Sequence, residues 1–183
     1  MHNAGYAFAV VSSAIDETPI PGESAEVMVQ RLADAKAELV AARSVGPAIV
    51  IAADTTVLAG SQILGKPRTT EDARRMLQLL SGAIHSVVTG VSLIRLPDVE
   101  KRSFVETTRV QFSTLSAEDI EDYLATGEPF DKAGGYAIQG RAGRFIPRIE
   151  GCYFNVVGLP LARLARELAE LGYHPGMADA AGV

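Results

Sequence analysis

Asp54-Thr55-Thr56 follows an unbroken apolar run, Ala48-Ile49-Val50-Ile51-Ala52-Ala53, and that placement is the first sign of chemistry in the chain. An ionised carboxylate beside a buried strand needs a partner, a metal or a ligand, because desolvating a bare charge is costly. The run has strand length and the pattern of a strand covered on both faces in an α/β sheet. Asp54 then falls at or near its end, the side of such sheets where ligands bind. Two further stretches combine acid, base and glycine: Leu64-Gly65-Lys66-Pro67, and Asp131-Lys132-Ala133-Gly134-Gly135-Tyr136-Ala137-Ile138-Gln139-Gly140. Taken singly, each is also the ordinary vocabulary of a solvated turn.

The elements that would position these groups follow from periodicity and punctuation. Tyr6 to Ser12 reads as a short strand, and the prolines and glycine of Pro19-Ile20-Pro21-Gly22 break regular structure after it. Ser24 can cap a helix with the apolar stripe Met28, Leu32, Ala35 and Leu39, with Lys36 near the stripe's edge and Gly46-Pro47 beyond its end. Thr69 with Asp72 resembles a capping box for a helix carrying Ala73, Met76, Leu77 and Leu80, and Ser116 with Asp119 starts another carrying Ile120, Tyr123 and Leu124. Ser86 to Leu96 and Ser103 to Phe112 predict an antiparallel ribbon, so parallel and antiparallel strands mix. A last helix begins near Pro160 with Leu161, Leu164, Ala165, Leu168 and Leu171, before Gly172 and a frayed tail over residues 174–183. Helices and strands alternate in the first half, and the ribbon with the glycine-rich loop reads as a second lobe across a cleft.

Composition bounds the rest. The 183 residues, 48% of them hydrophobic, suit one domain with a substantial core, read as a single unit over residues 1–183. No apolar run approaches the ~18 residues of a membrane span, and the first residues lack the pattern of a secretory signal, so the cytoplasm is the simplest reading. Cys152 is the single cysteine, which excludes an internal disulfide framework and a multi-thiolate metal site. A net charge of -5 gives no footprint for a nucleic-acid polymer, whereas a small anion needs only a few placed cations.

From Phe8 to Gly172 the order and spelling of these blocks resemble the Maf nucleoside-triphosphate pyrophosphatases. The resemblance is carried by Ile15-Asp16-Glu17-Thr18, Ala35-Lys36-Ala37, Ala53-Asp54-Thr55-Thr56-Val57, Gly65-Lys66-Pro67 and Met76-Leu77-Gln78-Leu79-Leu80-Ser81-Gly82. It continues through His85, Thr107-Thr108, Asp131-Lys132-Ala133-Gly134-Gly135-Tyr136, Ile138-Gln139-Gly140 and Asn155-Val156-Val157-Gly158-Leu159-Pro160. The fold it implies is α/β: a mixed, twisted sheet flanked by helices, in two lobes about a central cleft, like Maf and inosine triphosphate pyrophosphatases.

The activity implied is cleavage of a nucleoside triphosphate between its α and β phosphates, with a divalent cation, Mg2+ or Mn2+. The resemblance assigns Asp54 the work of activating water or holding the metal, with Glu17 assisting through that metal. Lys36 and Lys66 are the candidate donors to the phosphoryl oxygens. Thr55, Lys66 and Gln139 resemble the branch that prefers dTTP and UTP, including modified relatives, rather than the branch taking 7-methyl-GTP or CTP. The Gln139 amide, at once donor and acceptor, suits the edge of thymine or uracil. For His85 and Tyr136 packing or structural hydrogen bonds are expected. A homodimer resembles family practice. A different class, a nucleotide-binding regulator linked to septum formation, stays open.

The family's opening strand and Pro-Arg-Arg loop have no counterpart in this sequence. The expectation is either a natural start further upstream or a relative with weakened catalysis. In both cases a neighbouring strand edge and part of the core would lie uncovered.

Overall fold

The computed structural model describes Met1 and residues 5–174. Helix α1 (Ala25–Ala41) begins where expected, with the Ser24 hydroxyl accepting from the Val27 N–H. Its buried positions Ala25, Met28, Val29, Leu32, Ala33 and Ala37 form one stripe at helical spacing, which lies on the sheet. Helix α2 (Thr70–Leu80) is capped by Thr69, and α3 (Ala117–Leu124) by a complete Ser116/Asp119 capping box. A short α4 (Tyr153–Val157) and the final α5 (Leu161–Glu170) close the helical set.

The sheet has the order β2-β1-β3-β4-β5, formed by β1 (Ala48–Ala59), β2 (Gln62–Leu64), β3 (Ile84–Leu96), β4 (Glu100–Gln111) and β5 (Arg148–Glu150). The expected class, a sheet flanked by helices, is what forms, but details differ. Every pairing among the described strands is antiparallel, and the β3–β4 ribbon joins the central sheet instead of a separate lobe. The apolar run of β1 signalled cover on both faces and could not signal strand direction. β1 also runs past Asp54, since Thr55-Thr56-Val57-Leu58 is itself rich in β-branched residues. It turns only at Gly60, whose positive φ of 60° lets β2 fold back with Ala59 opposite Gln62.

Tyr6 to Ser12 does not form the expected strand and belongs to none of the five strands of the sheet. Tyr6 itself is buried, stacked 6.2 Å from Tyr173 in the cluster built by Leu164 and Leu168 of α5 and by Leu171 just past its end. β1 keeps β3 along one edge, while β2 covers only Val57 to Ala59 of the other. Ala48 to Thr56 therefore present a free edge among the described residues, beside an apolar groove of about 760 Å³. The frayed tail was expected from His174, which is exposed; residues 175–183 lie outside those described.

On one face of the sheet α1 packs over Val50, Val88 and Ile94. On the other, α5 covers Ile49, Ile51, Val91 and Leu93, and α2 with α3 covers Val57, Val87 and Val110 further along. That second cluster holds His85, which is 2% exposed, with its Nε2 2.8 Å from the Tyr136 hydroxyl and Phe112 edge-on at 5.2 Å. Its Nδ1 has no hydrogen-bond partner. Burial pushes the imidazole down to about 4 from an ordinary 6.5, so the ring is neutral at pH 7. An unfolded chain takes up that proton more readily, so the stability His85 carries is complete above pH 6.5 and is lost as the pH falls toward 4. The full loss is about 3 kcal/mol. Urea unfolding at pH 7 and pH 5 should show the wild type losing part of this stability. His85→Phe should be weaker at pH 7 by about 1–3 kcal/mol through the orphaned Tyr136 hydroxyl, yet flatter between the two pH values.

Candidate active site

Alternation along β1 decides what the site can contain. Asp54 is paired with Gly90 and faces α1; Thr55 is paired with Thr89 and faces the opposite side, toward α4. The Thr55 hydroxyl lies 2.9 Å from that of Thr89 and 3.4 Å from the Gly158 carbonyl oxygen. A cleft of about 890 Å³ nevertheless reaches both residues, because it wraps the free edge of β1 where no described strand intervenes.

On the α1 side Lys36 is the centre. Its stem runs beside the buried stripe, and its Nζ lies 2.6 Å from Asp54 Oδ1 and 2.7 Å from Glu17 Oε1. The lysine and aspartate side chains are 16% and 14% exposed, while Glu17 is 56% exposed and stands at the mouth. Burial pulls the Lys36 ammonium down, but hydrogen bonds to Asp54 and Glu17 and their charges outweigh it, and the group is raised. Burial also pushes the Asp54 carboxyl above its usual range; the Lys36 hydrogen bond and charge oppose this without cancelling it, and Glu17 adds to the rise.

Glu17 is held by a clamp that sequence reasoning did not single out. Asp16 accepts from the N–H and hydroxyl of Thr18, and Arg31 of α1 donates to the Thr18 carbonyl. Arg31 also grips Glu23 through Nε and Nη2, at 2.7 and 2.8 Å. The chain from Asp16 to Glu23 is thereby strapped to the same helix that carries Lys36. A Glu and Arg eight residues apart around a helix start were the available signal.

Lys66 lies on the cleft's lining and its charge reaches Asp54. The turn that carries it is seated by the glycine-rich loop: the Gly134 N–H donates to the Gly65 carbonyl at 3.0 Å. Gly134 has φ 72°, and a Cβ there would come within 2.8 Å of Val57 Cγ2. Lys132 and Arg68 also line the cleft; Lys132 belongs to the Asp131-to-Gly140 stretch, and neither has a signal in the sequence beyond its charge. Tyr136 lines it too, with its hydroxyl turned to His85 as expected of a structural hydrogen bond. Thus Glu17, Lys36, Asp54, Thr55 and Lys66 come together, whereas Gln139 is exposed and stands outside the lining.

The donor chemistry suits a hard cation shared with a ligand. No group of three His, Cys, Asp or Glu side chains among the described residues could cage a metal. Asp54 and Glu17 are the two carboxylates that converge on one ammonium. Mg2+ is commonly held by one or two carboxylates plus substrate phosphates and water, so this pair fits. Lys36, Lys66, Arg68 and Lys132 are matched around the cleft by Glu17, Asp54, Asp72 and Asp131. A polyanion gains most there when it brings a divalent cation with it.

The fold and cleft belong to a known class: the Maf-like protein family matches residues 1–171, and the chain is a member of it. Among its relatives, a dTTP/UTP pyrophosphatase of Geobacillus sp. is 51% identical over 170 residues, covering 93% of this chain and 90% of its own. One from Carboxydothermus hydrogenoformans is 55% identical over 138 residues, 75% of this chain and 74% of its own. A third, from Myxococcus xanthus, is 48% identical over 165 residues, 90% of this chain and 82% of its own.

The Lys36–Asp54 contact sets the acid's titration. Replacing the cation with an apolar stem of similar length, Lys36→Met, should move the Asp54 carboxyl further to higher pH, because the Lys36 hydrogen bond and charge that oppose burial are gone. The carboxyl carbon shift followed by NMR across a pH series reads this directly; an unmoved titration would mean the contact is not formed in solution.

Proposed function

We propose that this chain is a nucleoside-triphosphate pyrophosphatase that hydrolyses dTTP and UTP to the monophosphate and pyrophosphate. The observation that carries the reading is Asp54: a largely buried carboxylate with a raised pKa, held on one oxygen by Lys36 in a cleft lined by further cations. The names of the relatives supply the reaction and the pyrimidine preference.

Oδ1 of Asp54 is engaged by Lys36, while Oδ2 carries no hydrogen bond from the described residues and is the oxygen proposed to take a proton from water. Attack at the α phosphorus forms a new P–O bond and breaks the bond to the oxygen bridging the β phosphate, which leaves with pyrophosphate. The raised pKa suits a base, since a carboxylate nearer neutrality accepts a proton more readily in the transition state. Lys36 and Lys66 offset the negative charge gathering on the phosphoryl oxygens. Glu17 is the second carboxylate that holds Lys36, at 2.7 Å. A divalent cation, Mg2+ or Mn2+, held by Asp54 and Glu17 together with the phosphates, would supply further charge neutralisation. Because the cleft crosses the edge of β1, phosphates on the α1 side and the nucleoside on the Thr55 and Gly158 side make a consistent placement. Gln139, in the same glycine-rich segment as Lys132 and Tyr136, is proposed to read the base. Among the described residues no helix is long and apolar enough to cross a membrane, and a cytoplasmic enzyme working as one unit is part of the proposal.

Purified protein with Mg2+ or Mn2+ should release pyrophosphate from dTTP and UTP. Asp54→Asn, which keeps the shape and removes the base, should lower kcat by about 100- to 10,000-fold with folding nearly intact. Binding without turnover, seen by calorimetry in the wild type, would support the regulator reading instead. Gln139→Ala should reduce the preference for dTTP over CTP by roughly 2- to 10-fold, the worth of one hydrogen bond made in competition with water. An unchanged ratio removes Gln139 from base recognition.

A further inference from the structure

The residue paired with Asp54 across the β1–β3 ladder is Gly90, and both face α1. Its φ lies outside the left-handed region, so the backbone conformation does not call for glycine. Space does. A Cβ at Gly90 would fall 2.5 Å from the Val29 carbonyl carbon, 2.5 Å from its oxygen and 2.7 Å from the Gln30 nitrogen. These are main-chain atoms within α1, which no rotamer change can move aside.

The helix is fastened at the same height by its own side chains. Gln30 Nε2 donates to the Val91 carbonyl at 3.4 Å, and Ser103 of β4 donates to Asp34 at 2.9 Å. Val29 and Lys36 are seven residues apart, about two turns of one helix, and so lie on nearly the same side of it. The height of α1 above β3 at Val29 thus governs where the Lys36 stem leaves the helix relative to Asp54.

We propose that Gly90 is a positioning residue: its missing side chain seats α1 on β3, and this close seat holds Lys36 Nζ 2.6 Å from Asp54 Oδ1. The catalytic consequence rests on the hydrolase reading above; the seating does not. An alanine at Gly90 has to lift the helix or bend the strand by about an ångström to regain ordinary contact, and a displacement of that size costs on the order of 100-fold when it separates catalytic groups.

Gly90→Ala is the test, with two readouts. The first is the Lys36 ammonium signal in nitrogen-15 NMR, which persists when the group is sheltered and ion-paired and is lost to exchange with water when it is not. The second is steady-state turnover of dTTP. The expected result is loss of the ammonium signal and a fall in kcat of roughly 100-fold, with KM changing far less. Leu164→Ala serves as the control: it opens a cavity on the opposite face of the sheet at a cost of about 2–5 kcal/mol and should leave both readouts intact. A folded Gly90→Ala with the wild-type signal and kcat overturns the proposal, and so does an equal loss in Leu164→Ala. If Gly90→Ala does not fold, Ala33→Val decides in its place. Ala33 is fully buried on the same stripe, and a bulkier side chain there lifts α1 through atoms that can partly yield. Loss of the ammonium signal supports the proposal, and its retention with normal kcat overturns it. Should the wild type fail to hydrolyse dTTP or UTP, the functional reading fails while the ammonium signal still reports the seating.

Discussion

A lysine ammonium that has lost most of its water must find negative charge, and Lys36 finds it on two carboxylates from different parts of the chain. Much of the local architecture can be derived from that requirement. The apolar stripe of α1 fixes the helix to the sheet and carries the lysine inward. The Arg31 clamp fixes the strap that bears Glu17. The ladder with β3 fixes the strand that bears Asp54. The three elements are thereby coupled through a single charge. The coupling is incomplete in a useful way. Burial still holds Asp54 above the usual carboxylate range, which keeps it both ionisable and basic.

Local signals were legible in the sequence to the extent that they were local. Ser24, Thr69 and Ser116 cap the helices they were expected to cap, because capping is settled within a few residues. The ribbon of β3 and β4 was visible for the same reason. Strand direction was not, since an apolar run reports cover on both faces and nothing about its neighbours. The end of β1 was misplaced at Asp54 because a charge normally marks a boundary, and here the ammonium of a distant helix allows the strand to continue through it.

The site residues divide along the same line. Glu17, Lys36, Asp54, Thr55 and Lys66 were found through resemblance, and the structure gathers them about one cleft. The contact from Lys36 to Asp54 spans the helix-to-sheet interface and has no signature in spacing. Arg31 and Glu23 look like ordinary surface charges until the strap between them is seen to carry Glu17. Arg68 and Lys132 become candidates only because the glycine-rich loop folds back toward β1.

The pairing of Asp54 with Gly90 and of Thr55 with Thr89 also constrains how this chain can change over time. Neighbouring positions of an extended strand point to opposite sides, so sliding β1 by a single place against β3 would put a hydroxyl where the acid belongs. Insertions and deletions are then tolerable in the bends around Gly46 and Gly60, which bracket the strand, while a lone one between them would invert the cleft.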